Sequence, residues 1–576
     1  MVPVLPKQTL SMKTRDGVRL DADVYRPDIE GECPVLLMRQ PYGRAIASTV
    51  VYAHPIWYAA HGYIVVIQDV RGRGSSQGDF LLFADEIADG ADTVAWAAAL
   101  SGSNGNVGMY GFSYQGMTQL YAAAERPTSL KTLCPAMIGY DLYTDWAYEG
   151  GAFCLQASLG WATQLAAETA RRKGDRPTYE SLYSAARTAP VCDPISARSD
   201  LLTKLAPDSF YHDWIANPEA TADYWQQLSP KTHVQDVDLP MLHIGGWYDT
   251  YMRGTLRFYK EMAARSRHPQ HLWVGPWAHI PWGRRVGHQD FGSEANSPID
   301  VVQIRWFDHV LKGKPNGLSD EMPVRLFELG SNQWRSLSHW PASAPVRYHL
   351  QSNGLASIDQ RAGRLSTSFS PESNSLAAIP DVLVHDPWRP VPALGGHCTV
   401  PSGMVERSLL DCRADVLTYT SDPLTEDWSF AGELSVEITC SADAPSFDLC
   451  AIVSYMCPDG KTYPLTQGYR RVDSCSSSPP DSHDPADVTS RLSPRPQTVQ
   501  INLQPICASI KKGQCLRLSL SAACFPAYSL NSGTSQSGSV VGGGDRLLDA
   551  RIITIQIHSN ANLPSRLNFP EPLSSL

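Results

Sequence analysis

Residues 107–127 read VGMYGFSYQGMTQLYAAAERP, and the fold is decided there. Val107 to Phe112 has the apolar character of a short buried strand. Met117 to Glu125 is rich in Ala, Leu, Gln and Glu, which favour helix, and Pro127 supplies a stop. Between them, Gly111-Phe112-Ser113-Tyr114-Gln115-Gly116 leaves a serine on a tight strand-to-helix turn. Such a turn strains the serine's backbone and pushes its hydroxyl out at the strand's carboxyl end, as in a nucleophile elbow. The usual spacing is Gly-x-Ser-x-Gly; here Gln115 holds the second glycine's place and Gly116 comes one later. The competing reading is an ordinary glycine-rich β–α turn.

Upstream, Met12 to Pro27 alternates around Asp16-Gly17, with Val18, Leu20, Ala22 and Val24 on one face, which predicts a hairpin. A strand at Pro34 to Met38 ends in Arg39-Gln40-Pro41-Tyr42-Gly43-Arg44, where proline stops strand geometry. A helix around Ile56 to His61 and a strand at Ile64 to Ile67 lead to the loop Arg71-Gly72-Arg73-Gly74-Ser75-Ser76-Gln77-Gly78. Its glycine spacing differs from that of a dinucleotide fingerprint and Phe80 to Phe83 precedes the next helix, so it reads as a structural loop beside the active site. A helix at about residues 85–100 follows. Downstream of the elbow, Leu130 to Ile138 is a further buried strand. Strands alternating with helices predict an α/β class fold with a mostly parallel sheet.

From about residue 141 to 230 helical stretches take over, carrying Trp146, Trp161, Tyr179, Tyr183, Tyr224 and Trp225. An insertion there would cover the carboxyl ends of the strands, where such sheets bind ligands, and reads as a cap. Alternation resumes at Leu239 to Ile244, the loop through Trp247-Tyr248-Asp249, a helix at Leu256 to Ala264, a strand at His271 to Val274, the loop Gly275 to His279, and a helix at Val301 to Leu311. Beyond about Val324 helices nearly vanish. Period-two alternation appears at Leu434/Val436/Ile438/Cys440, Val499/Ile501/Leu503, Leu516/Leu518/Leu520 and Ile553/Ile555/Ile557, which predicts a β-sandwich of jelly-roll type. Ser474 to Pro496, rich in Ser, Pro and Asp, reads as a mobile loop. The expected organisation is an α/β-hydrolase domain at 1–140 and 231–335, a helical cap at 141–230 and a jelly-roll β-sandwich at 336–576.

Composition excludes several function classes. The 576 residues are 43% hydrophobic and 18% charged, enough for large cores, and the net charge of -10 comes without a Lys/Arg block of the kind that neutralises phosphates or anionic lipid. Nucleic acid and membrane partners are therefore not expected. The N-terminus lacks a signal-peptide pattern and 18 apolar residues never run together, so a cytoplasmic protein is expected. The 13 cysteines, nine of them between Cys398 and Cys524, show no paired C-x-x-C spacing, so they read as buried thiols and neither metal nor cofactor is expected. Self-association is left open.

A serine hydroxyl needs a base, usually a histidine oriented by a carboxylate, and in α/β-hydrolases the chain order is serine, acid, histidine on successive strand ends. Among 16 histidines His279 has the matching address, and Asp249 lies on the preceding strand's loop; His243 falls inside a strand and His288 deeper in a loop. A satisfied loop histidine and a helix N-cap are the respective alternatives. The oxyanion hole would use the backbone N–H of Tyr114 and a donor from the loop after the third strand, where Tyr42 offers a hydroxyl; its alternative is an ordinary loop aromatic.

Arg39-x-Pro41-Tyr42, Arg71-Gly72-Arg73-Gly74-x-Ser76, Gly111-x-Ser113-Tyr114-x-Gly116, Gly246-Trp247-Tyr248-Asp249 and Gly275-Pro276-Trp277-x-His279 occur in this order. Together they resemble the cocaine esterase-type hydrolases, relatives of the X-Pro dipeptidyl-peptidases and α-amino acid ester hydrolases. The resemblance implies a hydrolase domain, cap and jelly roll, Ser113, Asp249 and His279 as triad, and Tyr42 with the Tyr114 amide as oxyanion hole. It also accounts for the displaced glycine. Gln115 stands where α-amino acid ester hydrolases have an acid, and no acidic cluster for a substrate ammonium is evident, so neutral carboxylic esters are the expected substrates. An amidase, peptidase or acyltransferase would use the same triad, and a non-catalytic binding protein is the remote alternative. The acyl pocket is expected to be aromatic, lined by Trp146, Trp161, Tyr251 and Trp277.

Overall fold

A ten-stranded sheet occupies most of the first 337 residues of the computed structural model, which describes residues 1–188, 191–341, 345–369, 379–473, 495–534 and 547–573. It begins with β1 (Gln8–Lys13), β2 (Arg19–Tyr25) and β3 (Cys33–Gln40), then α1 (Pro55–Ala59), β4 (Ile64–Asp69), α2 (Glu86–Ala98), β5 (Ser103–Phe112), α3 (Tyr114–Ala124) and β6 (Leu130–Ala136). β1 and β2 pair antiparallel around the Asp16-Gly17 turn, closed by a hydrogen bond from Thr14 N to Val18 O at 2.9 Å, as their alternation predicts. β3 and β4 are buried along their whole length, which fits strands covered on both faces by helices.

A short hairpin, β7 (Tyr148–Glu149) and β8 (Ala152–Phe153), opens a helical segment with α4 (Leu155–Arg172), α5 (Arg176–Ala185), α6 (Asp200–Leu205), α7 (Phe210–Ala216), α8 (Asp223–Leu228) and α9 (Pro230–His233). The sheet then resumes with β9 (Met241–Tyr248), α10 (Met252–Arg265) and β10 (Gln270–Ala278). The small hairpin β11 (Arg285–Val286) and β12 (Gln289–Asp290), α11 (Ile299–Lys312), β13 (Val324–Glu328) and β14 (Gln333–Leu337) complete it. The order across the sheet is β1-β2-β4-β3-β5-β6-β9-β10-β13-β14, with β4 through β13 in that order parallel. This is an α/β-hydrolase-like sheet, and β5 stands near its middle.

The rest of the chain is β-rich. Strands Asp381–His385, Ile553–His558, Ser435–Ala442, Arg566–Phe569, Val346–Gln351, Arg364–Ser366, Leu417–Ser421, Cys515–Ser521, Ser446–Met456 and Thr462–Asp473 follow one another in a second large sheet, with Gln497–Asn502 added beside Ser435–Ala442. The four alternating sequence stretches fall on these strands, with Leu434 and Leu503 one residue outside them, and their apolar residues from Leu434 to Ile557 share one core. That core does not stop at the second sheet. It runs on through Trp247, Tyr248, Met252 and Leu256 of β9 and α10, because the edge of the first sheet packs against the β-rich part. Most of the Ser474 to Pro496 stretch lies outside the described residues. Among the described residues, no helix is long and apolar enough to cross a membrane, and the twelve cysteines are free thiols.

Candidate active site

Ser113 joins β5 to α3 with φ 59° and ψ -129°, a strained conformation for a residue with a side chain. Hydrogen bonds tie the turn into its own sheet: Ser113 N donates to Ala136 O of β6 at 2.9 Å, while Gly116 N and Met117 N both donate to Ser113 O at 2.9 Å. Gln119 of α3 spans the same gap, donating to Gly111 O at 3.1 Å and accepting from Cys134 N at 3.0 Å. The displaced glycine now has a reason. A Cβ on Gly116 would lie 2.6 Å from Ile138 Cγ2 and 2.8 Å from Ala136 O, so the close approach of α3 to β6 falls at position 116. Gln115 instead turns its side-chain carbonyl to the Phe112 amide at 3.4 Å.

Asp249 and His279 end β9 and β10, adjacent parallel strands. His279 Nδ1 lies 2.7 Å from Asp249 Oδ1; the carboxylate is fully buried and the imidazole partly exposed. An ionised carboxylate only accepts, so Nδ1 carries the proton and Nε2 keeps its lone pair. The other carboxylate oxygen accepts from Tyr251 N at 3.1 Å, so Asp249 also caps the turn into α10. The His279 ring lies 5.4 Å from Phe112, the residue before Ser113, and 5.0 Å from Tyr251. His243 is buried in β9 on Gln270, and burial pushes its imidazole down to about 4. His288 is exposed on the β11–β12 turn, away from the strand ends.

Tyr42 leaves β3 with its hydroxyl hydrogen-bonded to the Ser113 side chain and accepting from Trp161 Nε1 at 3.0 Å. Burial pushes the phenol up to about 12 against these two bonds, so it stays protonated and able to donate. Tyr114 stacks its ring on Phe83 and donates to Glu86 at 2.8 Å, and its backbone amide lies in the first turn of α3, where helix geometry supplies no intrahelical acceptor. Glu86 in turn pairs with buried Arg39 at 2.5 Å, so the arginine of the Arg39-x-Pro41-Tyr42 stretch braces the elbow helix through Tyr114.

The glycine loop after β4 is a brace of the same kind. A Cβ on Gly74 would collide with the Asp69 carboxylate, and Arg73 reaches over the Phe80 ring to Leu165 O and Thr169 of α4. It serves as the structural loop expected, tied to the helical segment.

Of the expected pocket aromatics, three come together. Trp146 lies 5.2 Å from Trp161 and 4.2 Å from Tyr251, and Tyr251 leads to His279. Trp277 does not join them. It stacks on Trp282 at 5.5 Å, donates to Ala295 O and belongs to the core on the opposite face of the sheet. The pairing register of β10 with β9 shifts between Gly275 and Ala278, so two residues of spacing no longer imply a shared face.

Sequence reasoning missed the residues behind Asp249. Gln504, between strands Gln497–Asn502 and Ile506–Ile510, donates from Nε2 to Trp247 O at 3.0 Å and Asp249 O at 2.9 Å. Beside it lie Glu149, Arg253, His397 and Tyr528, all buried or nearly so. Among the described residues Glu149, His397 and Cys398 are near enough to share a metal ion. Arg253 Nη1, however, sits 2.9 Å from the same Glu149 oxygen and 3.1 Å from His397 Nε2, so a guanidinium already fills the position a cation would take. Burial opposes charge on His397, but Cys398 and Glu149 outweigh it and push the imidazole up to about 9. No local motif marks these residues.

Residues 16–281 match the X-Pro dipeptidyl-peptidase (S15) family, and residues 316–568 match the X-Pro dipeptidyl-peptidase C-terminal non-catalytic domain. A cocaine esterase of Rhodococcus sp. (strain MB1 Bresler) is 30% identical over 578 residues, covering 96% of each chain. The chain belongs to the cocaine esterase-type serine hydrolases. The fold of this hydrolase is shared with an α-amino acid ester hydrolase, at TM-score 0.79 and 22% identity over 99% of this chain and 97% of the other. It is shared equally with an aminopeptidase from the marine sediment archaeon Thaumarchaeota archaeon, at TM-score 0.79 and 22% identity over 98% and 96%. Family membership makes the protein a serine-type hydrolase, esterase or peptidase.

Proposed function

We propose that this hydrolase is a carboxylesterase working through Ser113, His279 and Asp249. The observation that carries the reading is the 2.7 Å contact of His279 Nδ1 with buried Asp249, at a strand end beside a serine held at positive φ. Ser113 Oγ attacks the ester carbonyl carbon while its proton passes to His279 Nε2. The carbonyl oxygen, now an anion, is stabilised by the Tyr42 hydroxyl and the Tyr114 amide. On collapse the C–O bond to the leaving alkoxide breaks and His279 returns the proton to it. Water, activated by the same histidine, then releases the acid from Ser113. The helical segment acts as a cap over the site, and the β-rich part is a jelly-roll sandwich.

Ester rather than peptide chemistry is supported by the esterase relatives, and the surroundings of Tyr42 are compatible with it. A cavity of about 590 Å³ flanks its ring, and the carboxylates on that wall already have cations: Asp23 pairs with Lys7 and Arg44, Asp69 with Arg44, Glu168 with Arg171. That wall therefore offers these carboxylates to a substrate ammonium only in competition with their cations, and neither Ser113 nor His279 lines the cavity. The test is a fluorophosphonate probe on wild type and Ser113→Ala, followed by a panel of esters with neutral and free-ammonium acyl groups. Labelling of Ser113→Ala, or faster turnover of ammonium substrates, would overturn the reading.

A further inference from the structure

The acid turn is held partly from outside its own sheet. Within residues 246–252 its bonds are few: Asp249 N to Gly246 O at 3.1 Å, Met252 N to Asp249 O at 3.3 Å, and Tyr251 N to the Asp249 side chain. Its own sheet adds the pairing of Gly246 and Tyr248 with β10 and a bond from Trp247 Nε1 to Phe327 O at 2.7 Å, and the β-rich part of the chain adds more. The carboxamide of Gln504 spends both of its N–H donors on the carbonyls of Trp247 and Asp249. Gln504 is itself immobilised, since its backbone N donates to Gln467 O at 3.0 Å, its carbonyl accepts from Thr466 Oγ1 at 2.6 Å, and its side chain is buried. One residue on, Thr250 Oγ1 donates to His397 O at 2.7 Å, and Arg253 pairs with Glu149 in the cluster around His397.

Two carbonyls gripped by one rigid amide fix the 247–248 and 249–250 peptide planes, which bracket Tyr248 and Asp249, and hence the direction of the Asp249 side chain. We propose that Gln504 is a positioning residue for catalysis: a side chain of the domain matched as non-catalytic that sets where Asp249 meets His279. The proposal rests on the triad reading above. Because reacting groups misplaced by about 1 Å can lose roughly 10²-fold in rate, releasing the turn should register in turnover.

The experiment compares Gln504→Met and Gln504→Glu, which keep the length of the side chain and remove both donors, with Asp249→Asn and the Gln504→Met/Asp249→Asn double variant. Only protein with the wild-type elution position and a cooperative melt is assayed, so either Gln504 variant suffices. The expected result on a short acetate ester is a kcat lowered roughly 10- to 100-fold with KM within about two-fold of wild type. In the Asp249→Asn background the same change should cost less than about two-fold, because a residue acting through Asp249 has nothing left to position. A merely structural role would lower the melting temperature and leave kcat alone. Wild-type kcat in a Gln504 variant beside an impaired Asp249→Asn overturns the role of Gln504, as does an undiminished loss in the double variant. An Asp249→Asn enzyme with wild-type kcat would instead sink the triad reading.

Discussion

The turn that carries Ser113 and the turn that carries Asp249 are built on different plans. The first is closed by its own neighbours, with β6, α3 and the side chain of Gln119 contributing its hydrogen bonds from within about 25 residues of sequence. The second is closed across 255 residues by Gln504 and across 147 by His397, under a hydrophobic core that the two sheets share. The difference is physical. A strained nucleophile turn has to be over-determined locally so that its positive φ survives, whereas the acid needs only a fixed direction, which any rigid neighbour can supply.

The sharpest way to break this comparison is to remove the chemistry at either turn. Ser113→Ala and His279→Ala should each cost on the order of 10⁶-fold in kcat, since triad members act as one unit. If His279→Ala kept more than about a tenth of wild-type turnover, the base would lie elsewhere and His288 would be tested next. Asp249→Asn should come second, at roughly 10⁴-fold, because it spoils the tautomer while leaving the nucleophile in place. A loss confined to KM would show that the acid turn shapes substrate binding instead. Tyr42→Phe deletes one hydroxyl and should lower kcat by about 10²-fold or more with KM and melting temperature nearly unchanged. An unchanged kcat would leave the oxyanion to backbone donors alone.

Two smaller effects separate the turns by stability. Gly116→Ala forces a methyl against Ile138 and the Ala136 carbonyl, and should destabilise the protein by roughly 1–3 kcal/mol, read as a lowered denaturation midpoint. A neutral result would mean that α3 is free to back away from β6. On the acid side, the buried imidazole of His397 is raised from 6.5 to about 9 in the folded chain. Its contribution to stability is therefore complete below about pH 6.5 and is lost as pH rises through 9, by up to the order of 3 kcal/mol. Thermal melts from pH 7 to 9.5 should fall more steeply for wild type than for His397→Gln; parallel slopes would remove His397 from the account.

What the sequence made legible follows the same division. Ser113, the Asp16-Gly17 hairpin and the four alternating strands beyond Leu434 could be read because each depends on residues within a few positions of one another. Asp249 and His279 could be addressed because each ends a strand whose apolar run is visible. Trp277 was misplaced because a spacing of two implies one face only in a regular strand, and the register of β10 shifts just there. Gln504, Glu149 and His397 carry no motif. They matter through contacts 144 to 257 residues long, which single-sequence patterns do not encode.

The shared core beneath β9 and α10 has a further consequence, in time rather than in space. A growing chain makes β6 and the serine turn before any of β9, α10 or the β-rich part. The residues that roof the acid turn emerge much later, Gln504 255 residues after Asp249, and the shared core continues to Phe569. N-terminal units fold first as a chain grows. On the proposed triad, the serine turn is therefore built well before the residues that steady the acid turn have been made.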